Sequence, residues 1–151
     1  MRKKILIIED DNNILDITTT VLNMANFEVA GTNGTDDIIG LVKVHQPDLI
    51  LTDYMLPGLS GGQICKLIKN NKDTANIPVI LMSAYHKQAI AIGNFNYDAY
   101  IKKPFDIGYL VNVINKFIGS MNWLNNFCNT AAANSKRFIE NAIKEILIIQ
   151  H

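Results

Sequence analysis

The sequence predicts an α/β fold in which helices cover both faces of a parallel sheet, followed by a helical C-terminal tail. Short, nearly continuous apolar runs such as Lys4–Ile8 and Leu49–Asp53 are typical of strands that are buried on both sides. Between these runs lie longer segments whose apolar residues recur at helical spacing. Strands that alternate with helices in this way form right-handed crossovers, and such crossovers produce a parallel sheet.

The elements can be assigned in order along the chain. Apolar runs predict strands at residues 4–8, 28–30, 49–53, 78–83 and 98–102. Amphipathic spacing predicts helices at residues 14–26, 35–45, 62–70, 85–93 and 106–118, of which the fourth is short and weak. Asp106 is the predicted N-cap of the last of these helices. Helical spacing of apolar residues also appears at 120–132 and 135–150, so the tail is predicted to contain two more helices.

Polar side chains stand at the carboxyl ends of four predicted strands. Glu9 and Asp10 follow the first strand, and Asp53 ends the third. Ser83 ends the fourth strand, and Lys103 follows the fifth. In an open parallel sheet the carboxyl ends of the strands line one crevice, so these side chains are expected to converge there. Carboxylates can hold a divalent cation or accept a phosphoryl group, and a hydroxyl and an ammonium can bind its oxygens. The pattern therefore predicts a phosphate-handling site.

Composition excludes several classes of protein. A hydrophobic content of 48% and a charged content of 19% indicate a folded globular chain of 151 residues. The formal net charge is zero, which gives no support to direct binding of nucleic acid or of a membrane surface. No apolar run reaches the length of a membrane span or a signal-peptide core, so a cytoplasmic location is predicted. Cys65 and Cys128 lack metal-ligand spacing and are predicted to be reduced, partly buried thiols.

The motifs resemble those of the receiver domain of bacterial two-component response regulators, a chemotaxis-regulator-like module. The run DYMLPGLSG at 53–61 fits the family pattern Asp-x-x-(Met/Leu)-Pro-x-x-x-Gly, and YIKKPF at 100–105 carries the family's Lys-Pro pair. Glu9-Asp10 and Ser83-Ala84 complete the set in the family's order. The resemblance implies a flavodoxin-like (βα)5 three-layer sandwich with a five-stranded parallel sheet of order 2-1-3-4-5. It implies a receiver domain at residues 1–119 and a helical extension at 120–151.

The resemblance also implies a role for each residue of the predicted site. Asp53 matches the phosphoacceptor. Glu9, Asp10 and Asp53, with the backbone carbonyl of Met55, match the ligands of Mg²⁺ or Mn²⁺. A carboxylate attacks a phosphoryl donor poorly unless the donor's charge is neutralised, which is the reason for a cation here. Lys103 matches the residue that binds a phosphoryl oxygen, and its bond to the following proline is expected to be cis.

Ser83 and Tyr100 match the pair that couples phosphorylation to a change of shape. A hydroxyl at the end of the fourth strand can move to the phosphoryl group, and the aromatic ring can then turn inward. Asp11 is expected to favour the start of the first helix, and Lys102 to point away from the site. The segment between Ser83 and Lys103 is shorter than in the family, so the fourth helix should be short or irregular. An asparagine near residue 96 should supply the positive φ of the turn before the fifth strand.

The predicted function is that of a phosphorylation-activated response regulator, with a histidine kinase or phosphotransfer protein as phosphodonor. The chain would catalyse only its own phosphoryl transfer and dephosphorylation and would not be an independent enzyme. An alternative is a receiver-fold interaction or dimerisation scaffold in which phosphorylation is secondary. The tail carries Trp123, Phe127 and Ile143, and its apolar side must be covered, either by its own receiver domain or by a second copy in a homodimer.

Overall fold

Strands and helices alternate along residues 1–119, the part of the chain that the computed structural model describes. The strands are β1 (Lys4–Ile8), β2 (Glu28–Thr32), β3 (Leu49–Asp53), β4 (Val79–Ser83) and β5 (Ala99–Lys102). The helices are α1 (Asn12–Met24), α2 (Ile38–His45), α3 (Gly61–Asn70), α4 (Lys87–Ala91) and α5 (Ile107–Ile118). The predicted tail helices and Cys128 lie outside the described residues.

The five strands form one parallel sheet of order β2-β1-β3-β4-β5, which confirms the predicted topology. The register brings the strand ends level with one another. Ile8 pairs with Thr52, so Glu9 and Asp53 each extend one position beyond that pair. Asp53 in turn pairs with Met82, one residue before Ser83. The sheet therefore places the predicted site residues at a single edge.

Two apolar clusters, one on each face of the sheet, form the core and make the molecule a three-layer sandwich. Alternate residues of the same strand enter different clusters, as Ile5 and Ile7 pack with α1 and α5, whereas Leu6 and Ile8 pack with α2 and α3. The central strand β3 is buried along its whole length. Burial on both faces explains why the strands are continuously apolar in sequence.

Side-chain caps define where most of the helices begin. Asp11 accepts hydrogen bonds from the backbone amides of Asn13 and Ile14, which confirms its predicted role at the start of α1. Asp106 caps α5 by accepting from the amide of Tyr109, also as predicted. Caps of this kind each stabilise a helix by about 1 kcal/mol. Ser60 and Gln63 form a reciprocal capping box at the start of α3.

The predicted start of the second helix at Thr35 was wrong. Thr35 makes an isolated parallel bridge to Gly58 instead, and α2 begins only after its N-cap, Asp37. The strand before it was predicted two residues too short, because β2 continues through the small residues Gly31 and Thr32. Helix α4 has only 5 residues, in agreement with the expectation of a short helix, although it is shorter than the predicted range.

The turns between α4 and β5 use asparagine where the backbone requires a positive φ. Asn94 has a φ of 45° and Asn96 a φ of 60°, which confirms the prediction for the turn before the fifth strand. Asparagine tolerates this region better than other residues with a side chain. Within residues 1–119, no helix combines the length and the apolar character that crossing a bilayer requires.

Lys69, near the end of α3, forms hydrogen bonds with the loop that leads into β4. Its Nζ donates to the carbonyls of Ala75 at 3.1 Å and Ile77 at 2.8 Å. The same atom lies 2.6 Å from Oδ2 of Asp98, which also accepts from the backbone amide of Val79. The network joins the entrances of β4 and β5, at the opposite edge of the sheet from the predicted site.

Candidate functional site

Three acidic side chains converge where β1 and β3 end, as the sequence predicts. Glu9 and Asp10 follow β1, and Asp53 is the last residue of β3. Each offers a carboxylate oxygen, and the three oxygens lie within 4.8 Å of one another. Glu9 and Asp53 are buried, whereas Asp10 is exposed. The arrangement is an acidic cluster that is open to solvent on one side.

Lys103 is the cation of this cluster. Its Nζ donates to Oε2 of Glu9 at 2.7 Å and lies 3.4 Å from Oδ1 of Asp53. The Lys103–Pro104 peptide bond is cis, as expected, and Lys103 is 7% exposed. The neighbouring Lys102 is exposed, which confirms that the residue before the proline is the one that enters the site.

Burial dominates the electrostatics of the two inner carboxyls. Loss of solvent raises the pKa of Glu9 from 4.5 to about 7, although Lys103 acts in the opposite direction. Burial likewise raises the pKa of Asp53, and again the ammonium of Lys103 opposes the shift. One ammonium cannot balance three carboxylates. Because Mg²⁺ prefers oxygen ligands, this set of donors fits a divalent cation in both charge and chemistry.

An open cavity of about 250 Å³ lies against Asp53. Its lining residues are Asp53, Met55, Ala84, Tyr85, Lys103 and Pro104. Oδ1 of Asp53 accepts a hydrogen bond of 2.9 Å from the amide of Tyr54 and faces Lys103, whereas Oδ2 accepts none from the residues that the structure describes. The cavity thus gives a small anionic group access to a carboxylate with one free oxygen.

Ser83 and Tyr100 both bond to the loop after β4. The Oγ of the buried Ser83 accepts from the amide of Tyr85 at 3.0 Å. The hydroxyl of Tyr100 donates to the carbonyl of Tyr85, and it lies 3.4 Å from the carbonyl of Ser83. Burial raises the pKa of Tyr100, so this hydroxyl keeps its proton. The two side chains predicted to act as a switch are therefore linked through one short loop.

Sequence reasoning missed the role of Tyr54. Its amide bonds to Asp53, and its ring packs edge-on against Tyr85, with centroids 6.2 Å apart. It also packs against the ring of Phe95, with ring centroids 5.8 Å apart. Its position directly after Asp53 is the one signal in the sequence that indicated a place beside the site.

Phe95 joins α3 to the loop after α4. Its ring lies so close to Gly62 and Gly93 that a Cβ at either glycine would overlap it. Lys66 of α3 lies over the same ring, with Nζ 5.2 Å from the centroid. No sequence pattern indicated the contacts with α3, because Gly62 and Lys66 are far from Phe95 in the chain.

Comparison with known proteins identifies the family. The sequence model of the response regulator receiver domain family matches residues 5–115, which is most of the chain. The chain belongs to the response regulator receiver domain family. It is thus a receiver domain of the two-component response regulators, which is consistent with phosphorylation-activated signalling and does not favour the alternative of a scaffold with secondary phosphorylation.

Some curated relatives of this receiver domain are much longer than the chain, whereas others are covered over nearly their whole length. The DNA-binding dual master transcriptional regulator RpaA of Synechocystis is 38% identical over 108 residues, which are 69% of this chain and 44% of that protein. The phosphate regulon transcriptional regulatory protein PhoB of Pseudomonas aeruginosa is 34% identical over 72% of this chain and 48% of its own. The chain thus spans less than half the length of these two relatives. The polar-differentiation response regulator DivK of Brucella ovis is 28% identical and is covered over 98% of its length.

Solved receiver structures share the fold. A CheY-like response regulator receiver domain protein from Methanospirillum hungatei superposes with a TM-score of 0.70 at 25% identity, covering 77% of this chain and 93% of that one. A putative response regulator from Chloroflexus aurantiacus superposes with a TM-score of 0.72 at 24% identity, covering 78% and 98%. The flavodoxin-like assignment made from the sequence is confirmed.

Proposed function

We propose that Asp53 is the phosphoacceptor of a molecular switch that a histidine kinase or phosphotransfer protein phosphorylates. The observation that carries the proposal is the convergence of Glu9, Asp10 and Lys103 on a buried carboxylate with one free oxygen facing an open cavity. Met55 and Tyr85, which line the cavity, are exposed, so a partner's phosphohistidine would approach Asp53 from their side.

The transfer step can be written for this geometry. Oδ2 of Asp53 attacks the phosphorus, the bond from phosphorus to the donor's imidazole nitrogen breaks, and an acyl phosphate forms on Asp53. Lys103 then contacts a phosphoryl oxygen, since its ammonium already lies 3.4 Å from the carboxylate. Transfer of this kind depends on positioning and on neutralised charge more than on covalent help from the protein.

Glu9, Asp10 and Asp53 are the side chains that would hold Mg²⁺ or Mn²⁺, with the backbone carbonyl of Met55 as a further ligand. The bound cation would neutralise charge on the transferred phosphoryl group. Such cations keep several water ligands and need few carboxylates, which agrees with a cluster that is open on the side of Asp10.

Ser83 and Tyr100 would convert phosphorylation into a change of surface. The Ser83 hydroxyl would leave the amide of Tyr85 and donate to a phosphoryl oxygen. That movement would release the loop to which the Tyr100 hydroxyl is bonded. The free-energy difference between the inactive and active shapes would then change by as much as the phosphoryl group interacts more favourably with the active one.

For residues 1–151 we propose a receiver domain at 1–119 and a helical extension at 120–151. The extension would pair two copies of the chain, because its apolar residues recur on more than one helix face. We also propose that the protein acts in the cytoplasm, without binding nucleic acid directly, and turns over no substrate other than its own acyl phosphate. The zero net charge supports the absence of nucleic-acid binding.

The test is labelling with a small-molecule phosphodonor such as acetyl phosphate. With Mg²⁺ present, intact-mass measurement should show one added phosphoryl group, and a chelator should prevent it. Asp53→Asn should abolish labelling, whereas the matched exposed variant Asp16→Asn should label normally. Equal labelling of the Asp53→Asn protein would show that the phosphoacceptor is a different residue.

A further inference from the structure

The segment at residues 32–36, which begins with the last residue of β2, contacts both loops that carry the acidic cluster. On one side it bonds to the segment after β1, which contains Glu9 and Asp10. On the other side it bonds to the loop after β3, which contains Met55. The family match and the sequence motifs give this segment no role.

Asn33 makes the side-chain contacts between this segment and the turn after β1. Its Nδ2 donates to the backbone carbonyl of Glu9 at 3.2 Å and to Oδ1 of Asn12 at 2.7 Å. The amide of Glu9 donates to the carbonyl of Thr32 at 3.0 Å, so the peptide unit on each side of Glu9 is bonded to this segment. Asn12 is the first residue of α1. Asn33 thus spans the short turn that presents Glu9 and Asp10.

Thr35 makes the contacts between this segment and the loop after β3. It bridges Gly58, and its carbonyl accepts from the amide of Leu59 at 3.2 Å. Gly58 has a φ of 74°, and a Cβ there would lie 3.0 Å from the carbonyl oxygen of Thr35. Glycine is therefore needed for this close approach. The loop after β3 is held against the same five residues that hold the turn after β1.

We infer that Asn33 is a positioning residue for a divalent cation in the acidic cluster. This inference rests on the proposed function, in which Glu9 and Asp10 bind the cation. Asp10 is exposed and makes no side-chain hydrogen bond within residues 1–119, so the backbone of this turn sets which positions its carboxylate can reach. Asn33 fixes that path from outside the cluster, through the carbonyl of the preceding residue. Groups that orient metal ligands from outside commonly change metal affinity when they are lost.

The experiment is calorimetric titration of the chelator-treated full chain with Mg²⁺. Asn33→Ala should weaken binding by about tenfold, the lower end of the range for such positioning groups. Asn12→Ala removes only one of the two hydrogen bonds and should weaken binding less. The double variant should bind no more weakly than Asn33→Ala alone, because both changes act through one contact. Asn23→Ala, an exposed asparagine on the far part of α1, is the matched control and should bind like the unaltered protein.

A second readout separates positioning from general stability. The urea unfolding midpoint of each protein is measured in chelator, and that of Asn33→Ala should stay close to that of Asn23→Ala. An Mg²⁺ affinity of Asn33→Ala within twofold of the unaltered protein would overturn the inference. So would a lost affinity that is accompanied by a clearly lowered midpoint. If the unaltered protein bound no Mg²⁺, the proposed cation site would fail as well, which distinguishes that failure from the others.

Discussion

The buried carboxyl of Glu9 should make the metal-free protein less stable as the pH rises from 5 to 8. Its side chain is 1% exposed, and its pKa is about 7 in the folded chain against 4.5 when it is free in water. A carboxyl whose pKa is raised by folding binds its proton more tightly in the folded state. Its contribution to stability is complete below pH 4.5 and is lost as the pH passes through 7.

The size of this effect follows from the two pKa values. At about 1.4 kcal/mol for each pKa unit, the step from 4.5 to about 7 corresponds to about 3 kcal/mol in the free energy of unfolding. Most of it, about 2–3 kcal/mol, falls between pH 5 and pH 8. The raised pKa of Asp53 acts in the same direction. For this reason the contribution of Glu9 has to be isolated with a variant.

Urea unfolding of the unaltered protein and of Glu9→Gln, in chelator at pH 5 and pH 8, measures that contribution. Glutamine has nearly the shape of the protonated side chain and cannot ionise. The two proteins should differ little at pH 5, and the variant should be the more stable by about 2–3 kcal/mol at pH 8. Excess Mg²⁺ should remove much of the pH dependence of the unaltered protein, since the cation binds the ionised form. A difference between the two proteins that is the same at both pH values would refute the reasoning.

Three further outcomes are expected. Met55 and Tyr85 line the cavity but offer no carboxylate or amide to orient a hydrolytic water. The acyl phosphate should therefore be long-lived, and the double change Met55→Asn with Tyr85→Glu should speed its loss, as followed by intact mass; an unchanged rate would contradict this. Lys69→Met should lower the free energy of unfolding by about 2 kcal/mol in urea, because two carbonyls and a carboxylate lose their partner, whereas Lys72→Met should change it little. Light scattering should show a dimer for the full chain and a monomer for the 1–120 fragment, and a monomeric full chain would argue against pairing through residues 121–151.

Much of the fold could be predicted because its strands are buried on both faces. The first three residues of Leu49–Asp53 are apolar because helices cover both sides of this strand, and the strand can therefore be located from the sequence. The predictions failed where a residue's partner is distant in the chain. Thr35 has the composition of a helix start, but its bridge to Gly58 holds it extended until Asp37. Such a bridge depends on tertiary structure and leaves no local pattern.

The same distinction applies to the site. The convergence of Glu9, Asp53 and Lys103 was predictable, because strand ends of a parallel sheet meet at one edge and the motifs mark those ends. The bond from Asn33 to the carbonyl of Glu9 was not, since any loop asparagine could make it. The contact of Tyr54 with Phe95 was equally hidden, because it depends on how a short α4 returns the chain to β5.

The position of the Phe95 ring restricts which substitutions the chain can accept at Gly62 and Gly93. Neither Gly62 nor Gly93 has a positive φ, so alanine would suit the backbone at both positions. It is the ring of Phe95 that excludes a methyl group there. Replacement of Phe95 by a smaller side chain removes this overlap, so a glycine substitution that must displace the ring in the present chain is better tolerated in the altered one. Gly62, Gly93 and Phe95 are therefore coupled, although Gly62 lies far from the other two in the chain.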